Sequence, residues 1–531
     1  MKIKLFYLLM FIILATTQTY AQLAPYLNWF VSYDGTGKSN DFVNDIKFDD
    51  SRNCYLAGRS SGNEGSQALL IAKYSIDGDL IRTIEYVSAP NSSNVAESIT
   101  IDANQNVYVI GNATFGQSTY TAILQKYSAS GEMLWEKNYQ SSSVFFGEGT
   151  KIAVDAECNV IAGFHNAVAN IIKYSTNGDS LWSVSISDTN NSWYYINNII
   201  LDSNSNIYVI YTRSFFDGGD VPWEEIHLLK ILKTGDIVWD NIVEIESPRR
   251  MLFDLDSNLV IASHGDAKIL KYSLSGEKIW EYNSNGLLTD ISINSNNDII
   301  MCGYNSVIGG FDYMIKKISA DGMEIWDESF NSDENINDFA TSISIDNEDN
   351  LFIIGNNSDT FTQGISYTLK YDTFGELKWK FKFDMPHSKF EHPSGCILDD
   401  SNNVIVAGDY TDSTNGSNYF IMKINQKLGT GITNNDKIPN EYYLSQNYPN
   451  PFNPSTLIKY QIPANAKSEM SNVKLVVYDI LGNEVATLVN EKQAAGNYEV
   501  NFDASNLSSG VYIYKLQSGS FISSKTMLLL K

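Results

Sequence analysis

The side chains that most often carry chemistry are few here and widely scattered. The five histidines are His165, His227, His264, His387 and His392. None stands in the H-E-x-x-H spacing that lets two imidazoles on one helical face hold zinc. His387 and His392 read as solvent-facing neighbours on one loop. The chain has no phosphate-cradling G-x-x-x-x-G-K and no strand-following G-x-G-x-x-G. Cys54, Cys158, Cys302 and Cys396 stand far apart without a C-x-x-C. They read as small buried apolar groups, with disulfides the alternative in an exported chain. Acids are too common for carboxylate pairs of the glycosidase kind to be picked out, because the relevant separation is spatial.

One acidic pattern does recur. Asp, three residues and Asn stand at Asp49/Asn53, Asp102/Asn106, Asp155/Asn159, Asp202/Asn206, Asp254/Asn258, Asp346/Asn350 and Asp399/Asn403, with the types inverted at Asn294/Asp298. A calcium loop needs a denser run of oxygens and a distal Glu. Turn chemistry explains the pattern better, since these side chains bond nearby backbone amides. No cofactor is predicted, and calcium has no support beyond the turns. Two tryptophans, Trp193 and Trp223, fall outside every repeated position described below and lie near other aromatics or acids. Exposed rings of this kind stack on sugars or peptide side chains, so both are candidates for a binding surface.

The elements that must position these residues are themselves periodic. Each acidic turn sits between two apolar strands. A further strand ends at Lys73, Lys126, Lys173, Lys230, Lys271, Lys317, Lys370 or Lys423. A turn with Gly follows, and in six units a Trp comes four residues after that Gly: Trp135, Trp182, Trp239, Trp280, Trp326 and Trp379. Four short strands per unit, mostly about 52 residues apart, are the cues for propeller blades. One four-stranded sheet cannot bury both faces, so blades stack in a ring, with the Trp packed between them. The last unit lacks its Trp strand, while an orphan one containing Trp29 stands at 26–33. Joining the two removes free sheet edges. The reading is therefore all-β with eight blades; seven is the alternative, because the fifth and sixth units are short.

The phrases at 99–111 and 124–135 resemble the secreted bacterial β-propeller repeat, over residues of about 26 to 425. That resemblance implies a fold and no single activity, since propellers host many functions. The Gly-x-x-x-Trp phrase is also similar to one in propellers that bind pyrroloquinoline quinone. It serves equally well without a cofactor, and no adjacent cysteine pair accompanies it.

The pattern breaks in a polar linker, 426–440, and a different domain follows at 441–531. Its opening carries Asn447, Pro449, Pro451, Phe452, Asn453 and Pro454. Three prolines there favour an extended segment over a central strand. Six apolar-rich strands between Thr456 and Leu530, with turns at Gly482, Gly496 and Gly510, suggest a small Ig-like β-sandwich. With Tyr478, Asp479, Tyr512 and the terminal Lys531, the domain resembles the type A C-terminal sorting domain of the type IX secretion system of Bacteroidetes-like bacteria. The resemblance implies that secretion machinery as a partner, and release or surface attachment after export.

The first 21 residues read as a signal peptide: Lys2 and Lys4, an apolar run from Leu5 to Ala15, and small residues before a cut between Ala21 and Gln22. No later segment reaches transmembrane length. The propeller is expected at 22–425. The chain has 62 acids, 37 bases and a net charge of −25. The tail is neutral, so the acidity belongs to the propeller. That excludes a duplex-tracking nucleic-acid binder, which needs a basic surface. The sequence thus predicts a monomeric secreted or surface binding module for a glycan or protein ligand; the alternative is a propeller lyase or hydrolase acting on polysaccharide.

Overall fold

The computed structural model describes residues 25–33, 41–61, 66–114, 120–140, 148–165, 168–188, 192–215, 222–307, 310–332, 337–358, 364–385, 388–412, 416–426, 442–447, 449–462, 471–493, 496–519 and 521–531. The signal segment with Ala21 and Gln22, His387 and nearly all of the linker lie outside them. Among the described residues every regular element is a β-strand, and two compact units form, one up to Leu428 and one from Gly429.

The first unit holds eight four-stranded antiparallel sheets. Seven are built from consecutive strands, spanning 42–86, 94–140, 148–186, 193–243, 248–283, 287–330 and 337–383. The eighth takes three strands from 388–425 and its outer strand from the N-terminal segment Tyr26–Tyr33. That strand pairs antiparallel with Gly416–Asn425, setting Trp29 opposite Lys423 and Tyr33 opposite Tyr419. The first strand of each blade touches the first strand of the next, and the eighth touches the first. These strands therefore line the axis, and the ring is closed with eight blades. The short spacing in the fifth unit reflects short strands: Leu259–Ser263 and Lys268–Tyr272 have five residues each.

Apolar alternation is what drives the stacking. Each blade buries one face against each neighbour, giving eight inter-blade clusters; one of them joins Ile405, Ala407 and Tyr419 of blade 8 to Leu56, Leu70 and Tyr74 of blade 1. The repeated polar residues work at the ends of these interfaces. In the acidic turns the Asp carboxylate accepts backbone N–H groups two and four residues on, as Asp155 does from Glu157 and Asn159 at 2.9 Å each. The residue three after the Asp, or after Asn294 in the inverted turn, takes a left-handed φ of 60–65° in all eight turns, from Arg52 to Asn402.

The repeated Lys completes this unit. Seven of the eight lie within 4.0 Å of the acid of their own blade's turn, as in Lys173–Asp155 and Lys271–Asp254 at 2.7 Å. In the inverted repeat the pair is Lys317 with Asp298, at 3.1 Å. Lys126 and Lys271 also donate to a carbonyl of the following blade, Thr176 and Ala320. The indole N–H of Trp135 and of Trp280 donates to those same two carbonyls, at 3.1 and 3.0 Å. Trp182 and Trp326 reach Lys233 and Thr373 in the same way. Six of the seven repeat indoles lie on the turn glycine of the next blade, Trp239 over Gly276 among them, and Trp29 closes the circle over Gly78. Trp379 packs between blades 7 and 8 against Phe352, with ring centroids 5.9 Å apart.

The second unit is a two-sheet sandwich. Tyr443–Leu444, Ser455–Ile462 and Gly496–Asp503 form one sheet. Glu484–Gln493, Ser471–Asp479, Gly510–Ser518 and Phe521–Leu529, in that order, form the other. Between them lies a core with Ile458, Leu475, Val477, Tyr514 and Leu529. The proline-rich opening crosses the edge of this sandwich with Asn450–Pro451 and Asn453–Pro454 cis. Phe452 is buried, donates from its N–H to the Leu528 carbonyl and accepts from the Leu530 N–H. Pro449 is half-buried, while Pro451, Asn453 and Pro454 are exposed. Asn447 is buried; its backbone N–H donates to the Tyr514 hydroxyl at 2.7 Å and its amide to Pro449 O and Thr456 Oγ1 at 3.0 Å. Asp479 repeats the propeller's turn with Asn483, with Gly482 in its left-handed position. Tyr478 pairs across to Ile513, the Tyr512 hydroxyl donates to Ser508 O just ahead of Gly510, and Lys531 Nζ donates to Ser505 O.

Candidate functional site

All eight inner strands carry a β-bulge at the same level. The extra residues are Asn44, Glu97, Thr150, Asn197, Arg249, Thr289, Thr341 and Ser394. A bulge leaves one residue unpaired and re-aims its side chain, and here a polar ring results at one level of the channel. Four of its members lock the ring. Asn44 donates to Ala96 O, Thr150 to Ile196 O, Thr289 to Ala340 O and Thr341 to Pro393 O, each across to the next blade at 2.7–3.2 Å. In the layer one residue on, Asp45 accepts from Ser98 Oγ and Ile99 N of blade 2, and Asp290 accepts from Ser342 Oγ and Ile343 N of blade 7.

Where blades 8, 1 and 2 meet at this level, a cavity of about 620 Å³ opens. Its walls are Phe42, Arg59, Phe390 and His392, with Glu97 and Asp409 as its acids. Strand pairing sets these groups side by side: Phe42 faces Arg59, and His392 faces Asp409. The Arg59 guanidinium lies 4.7 Å from the centre of the Phe42 ring, and His392 Nδ1 lies 3.5 Å from Asp409 Oδ1. Phe390 and His392 stack with an interplanar angle of 15°. The Tyr419 hydroxyl donates to Phe42 O at 2.8 Å and to Arg59 O at 2.9 Å, so blade 8 holds the blade 1 wall in place. Behind His392, the buried Glu391 accepts the N–H groups of Ser366 and Met385. Burial pushes its carboxyl up to about 8, although those two amides oppose the shift.

His392 corrects the loop expectation. It lies inside the strand Ser388–Leu398, an edge strand of its sheet, where Pro393 keeps its place opposite Gly408 without a ladder bond being required of it. Trp193 and Trp223 both fall at one end of blade 4 and are 42% and 64% exposed. Trp193 pairs with Ser214 and Trp223 with Phe215, so strand alternation puts them on opposite faces of the blade. They do not form one platform, and neither lines the cavity. All four cysteines are free and buried. Among the described residues no group of three or more His, Cys, Asp or Glu is placed to hold a metal ion, and no helix is long and apolar enough to cross a membrane.

The fold and its tail define a class: a secreted or cell-surface eight-bladed propeller carrying a C-terminal sorting domain. Residues 446–529 match the family model of the secretion system C-terminal sorting domain, which marks the chain for type IX export. No curated protein matches it. Among solved structures it is similar to the Dos1 propeller, at 9% identity and a TM-score of 0.45 over 75% of this chain and 95% of that one. It is also similar to the WD40 domain of SCAP from fission yeast, at 9% identity and a TM-score of 0.43 over 76% and 98%. A protein of unknown function from Bacteroides caccae matches at 12% identity and a TM-score of 0.32, over 53% of this chain and 94% of that one.

Proposed function

We propose that the protein is an extracellular binding module that takes a glycan at the mouth of its channel. The observation that carries this reading is the cavity between blades 8, 1 and 2. Aromatic faces, a guanidinium and two carboxylates converge there on a volume suited to one or two sugar rings. Aromatic faces stack on the C–H faces of pyranose rings, while Arg59, Glu97 and Asp409 suit their hydroxyls. A glycan array probed with the whole chain tests it. Saturable binding that drops at least tenfold in Phe42→Ala and Phe390→Ala, with unchanged melting midpoints, is expected. Binding unaffected by both substitutions, or lost instead in Trp193→Ala and Trp223→Ala, would move the site elsewhere.

One observation favours a second reading, that of a polysaccharide lyase or hydrolase. His392 with Asp409 and Glu97 supply a base and acids around one cavity. Release of shortened product by the wild type, abolished in Glu97→Gln and His392→Ala, would replace the binding reading with the enzymatic one.

A further inference from the structure

The charges of the channel divide into those that hold the ring and those that do not. Asp45 bonds blade 2 and pairs with Lys47 at 3.1 Å, and Asp290 bonds blade 7 and pairs with Arg250 at 3.3 Å. Lys151 and Arg249 stand in the same two layers, one on blade 3 and one on blade 5. Among the described residues neither side chain makes a hydrogen bond or an ion pair. Lys151 nonetheless feels the charges of Asp45, Glu97, Lys47 and Arg249, which come from blades 1, 2 and 5. In an eight-bladed ring, blades 1 and 5 are opposite one another. A group on blade 3 that senses both must reach toward the axis. Burial there holds its ammonium below the usual lysine range, although Asp45 and Glu97 oppose the shift.

We infer that Lys151 and Arg249 form the anion-binding end of the proposed glycan site, and that the ligand is an acidic sugar seated with its carboxylate between them. The inference rests on the channel-mouth reading, because Glu97, which lines the cavity, stands at the same bulge level of the inner strands as Lys151 and Arg249 and acts on the Lys151 charge. Lys151 is half-buried and Arg249 exposed, so it is Lys151, partly drawn out of water without a partner, that gains most from a ligand's negative charge. The two paired acids and their partners cancel. Arg59 offsets Asp409 in the cavity wall, and Lys151 and Arg249 against Glu97 then leave about one positive charge, which suits a carboxylate better than a doubly charged phosphate. The net charge of −25 repels an extended polyanion at long range. A single uronate at a chain end avoids that repulsion and leaves the neutral rings for Phe42 and Phe390.

The test uses the whole chain and a tetrasaccharide carrying one terminal hexuronate, compared by calorimetry with its own methyl ester at 50 mM salt. The wild type is expected to bind the acid at least tenfold tighter than the ester. Lys151→Met and Arg249→Gln should each cut that preference below threefold with unchanged melting midpoints. Arg52→Gln, in an acidic turn at the other end of an inner strand, should retain it. Equal binding of acid and ester, or a preference that survives both channel substitutions, would overturn the inference and leave the glycan reading standing. Binding of neither probe would overturn it too, and array binding of other glycans would then show that the broader reading survives.

Discussion

Trp29 and Gly78 meet only if the N-terminal strand completes the last blade, and substituting both measures that contact. Gly78 holds φ at +85°, and a Cβ there would lie 2.8 Å from Cδ2 and Cε3 of Trp29. Alanine at 78 thus carries two penalties. The left-handed backbone costs about 1–2 kcal/mol in a residue with a Cβ, and crowding against the indole adds about 1–3 kcal/mol. Trp29→Ala alone removes a partly buried ring and is expected to cost about 2–4 kcal/mol. With the indole gone, Gly78→Ala should cost only the backbone strain. The double variant should therefore be about 1–3 kcal/mol more stable than the sum of the two singles predicts. Denaturant unfolding of the four whole chains, followed by circular dichroism, gives the cycle. Additivity within about 0.5 kcal/mol would refute the closure. The same cycle on Trp280 and Gly322, inside the ring, where a Cβ would lie 2.8 Å from Trp280 Cδ2, should give a coupling of similar size.

Three further outcomes follow from the repeated polar contacts and the tail. Lys173→Met strands the buried Asp155 carboxylate and should cost about 3 kcal/mol, whereas Lys278→Met, in the exposed pair with Glu281, should leave the unfolding midpoint nearly unchanged in the same denaturation assay. Stability should fall on both sides of neutrality. For Asp155, burial alone raises the carboxyl, but Lys173 and the Asn159 amides outweigh it and hold it below the usual range, so its contribution is present above about 3.8 and is lost as pH falls. Glu391 is shifted the other way, so its contribution is full below about 4.5 and is lost as pH climbs through about 8; Glu391→Gln should flatten that alkaline slope in melting scans, and an unchanged slope would contradict the assignment. Deleting 441–531 should leave the propeller in the periplasm in cell fractionation, and unchanged surface delivery would contradict the sorting role.

The blades were legible because turns impose narrow chemistry. Asp and Asn four apart, and Gly five after Lys, mark chain reversals whatever the neighbours do. The orphan Trp29 strand was legible for a related reason: seven complete units leave the eighth one strand short. What was not legible is what the repeats bring together. The Asp and the Lys of a unit stand 17–24 residues apart in the seven paired units, and nothing in their spacing says that they pair. The bulge ring did leave a trace. Five residues before every turn's first polar residue, from Asn44 to Ser394, stands a polar side chain, and the next position is polar, charged or Gly. Two such residues in succession break the period-two alternation, and that break is the signature of a bulge. The cavity has no linear trace, because Phe42 and Phe390 come from opposite ends of the propeller sequence.

Hydrogen exchange of the whole chain, with and without a glycan found to bind it, tests the channel-mouth site most directly. The account predicts slowed exchange at the bulge ends of the inner strands of blades 8, 1 and 2, around Phe42, Val95 and His392, reaching Lys151 and Arg249 as well where the glycan is acidic. Slowing confined to the acidic turns, or to the Trp193 and Trp223 end of blade 4, would contradict it.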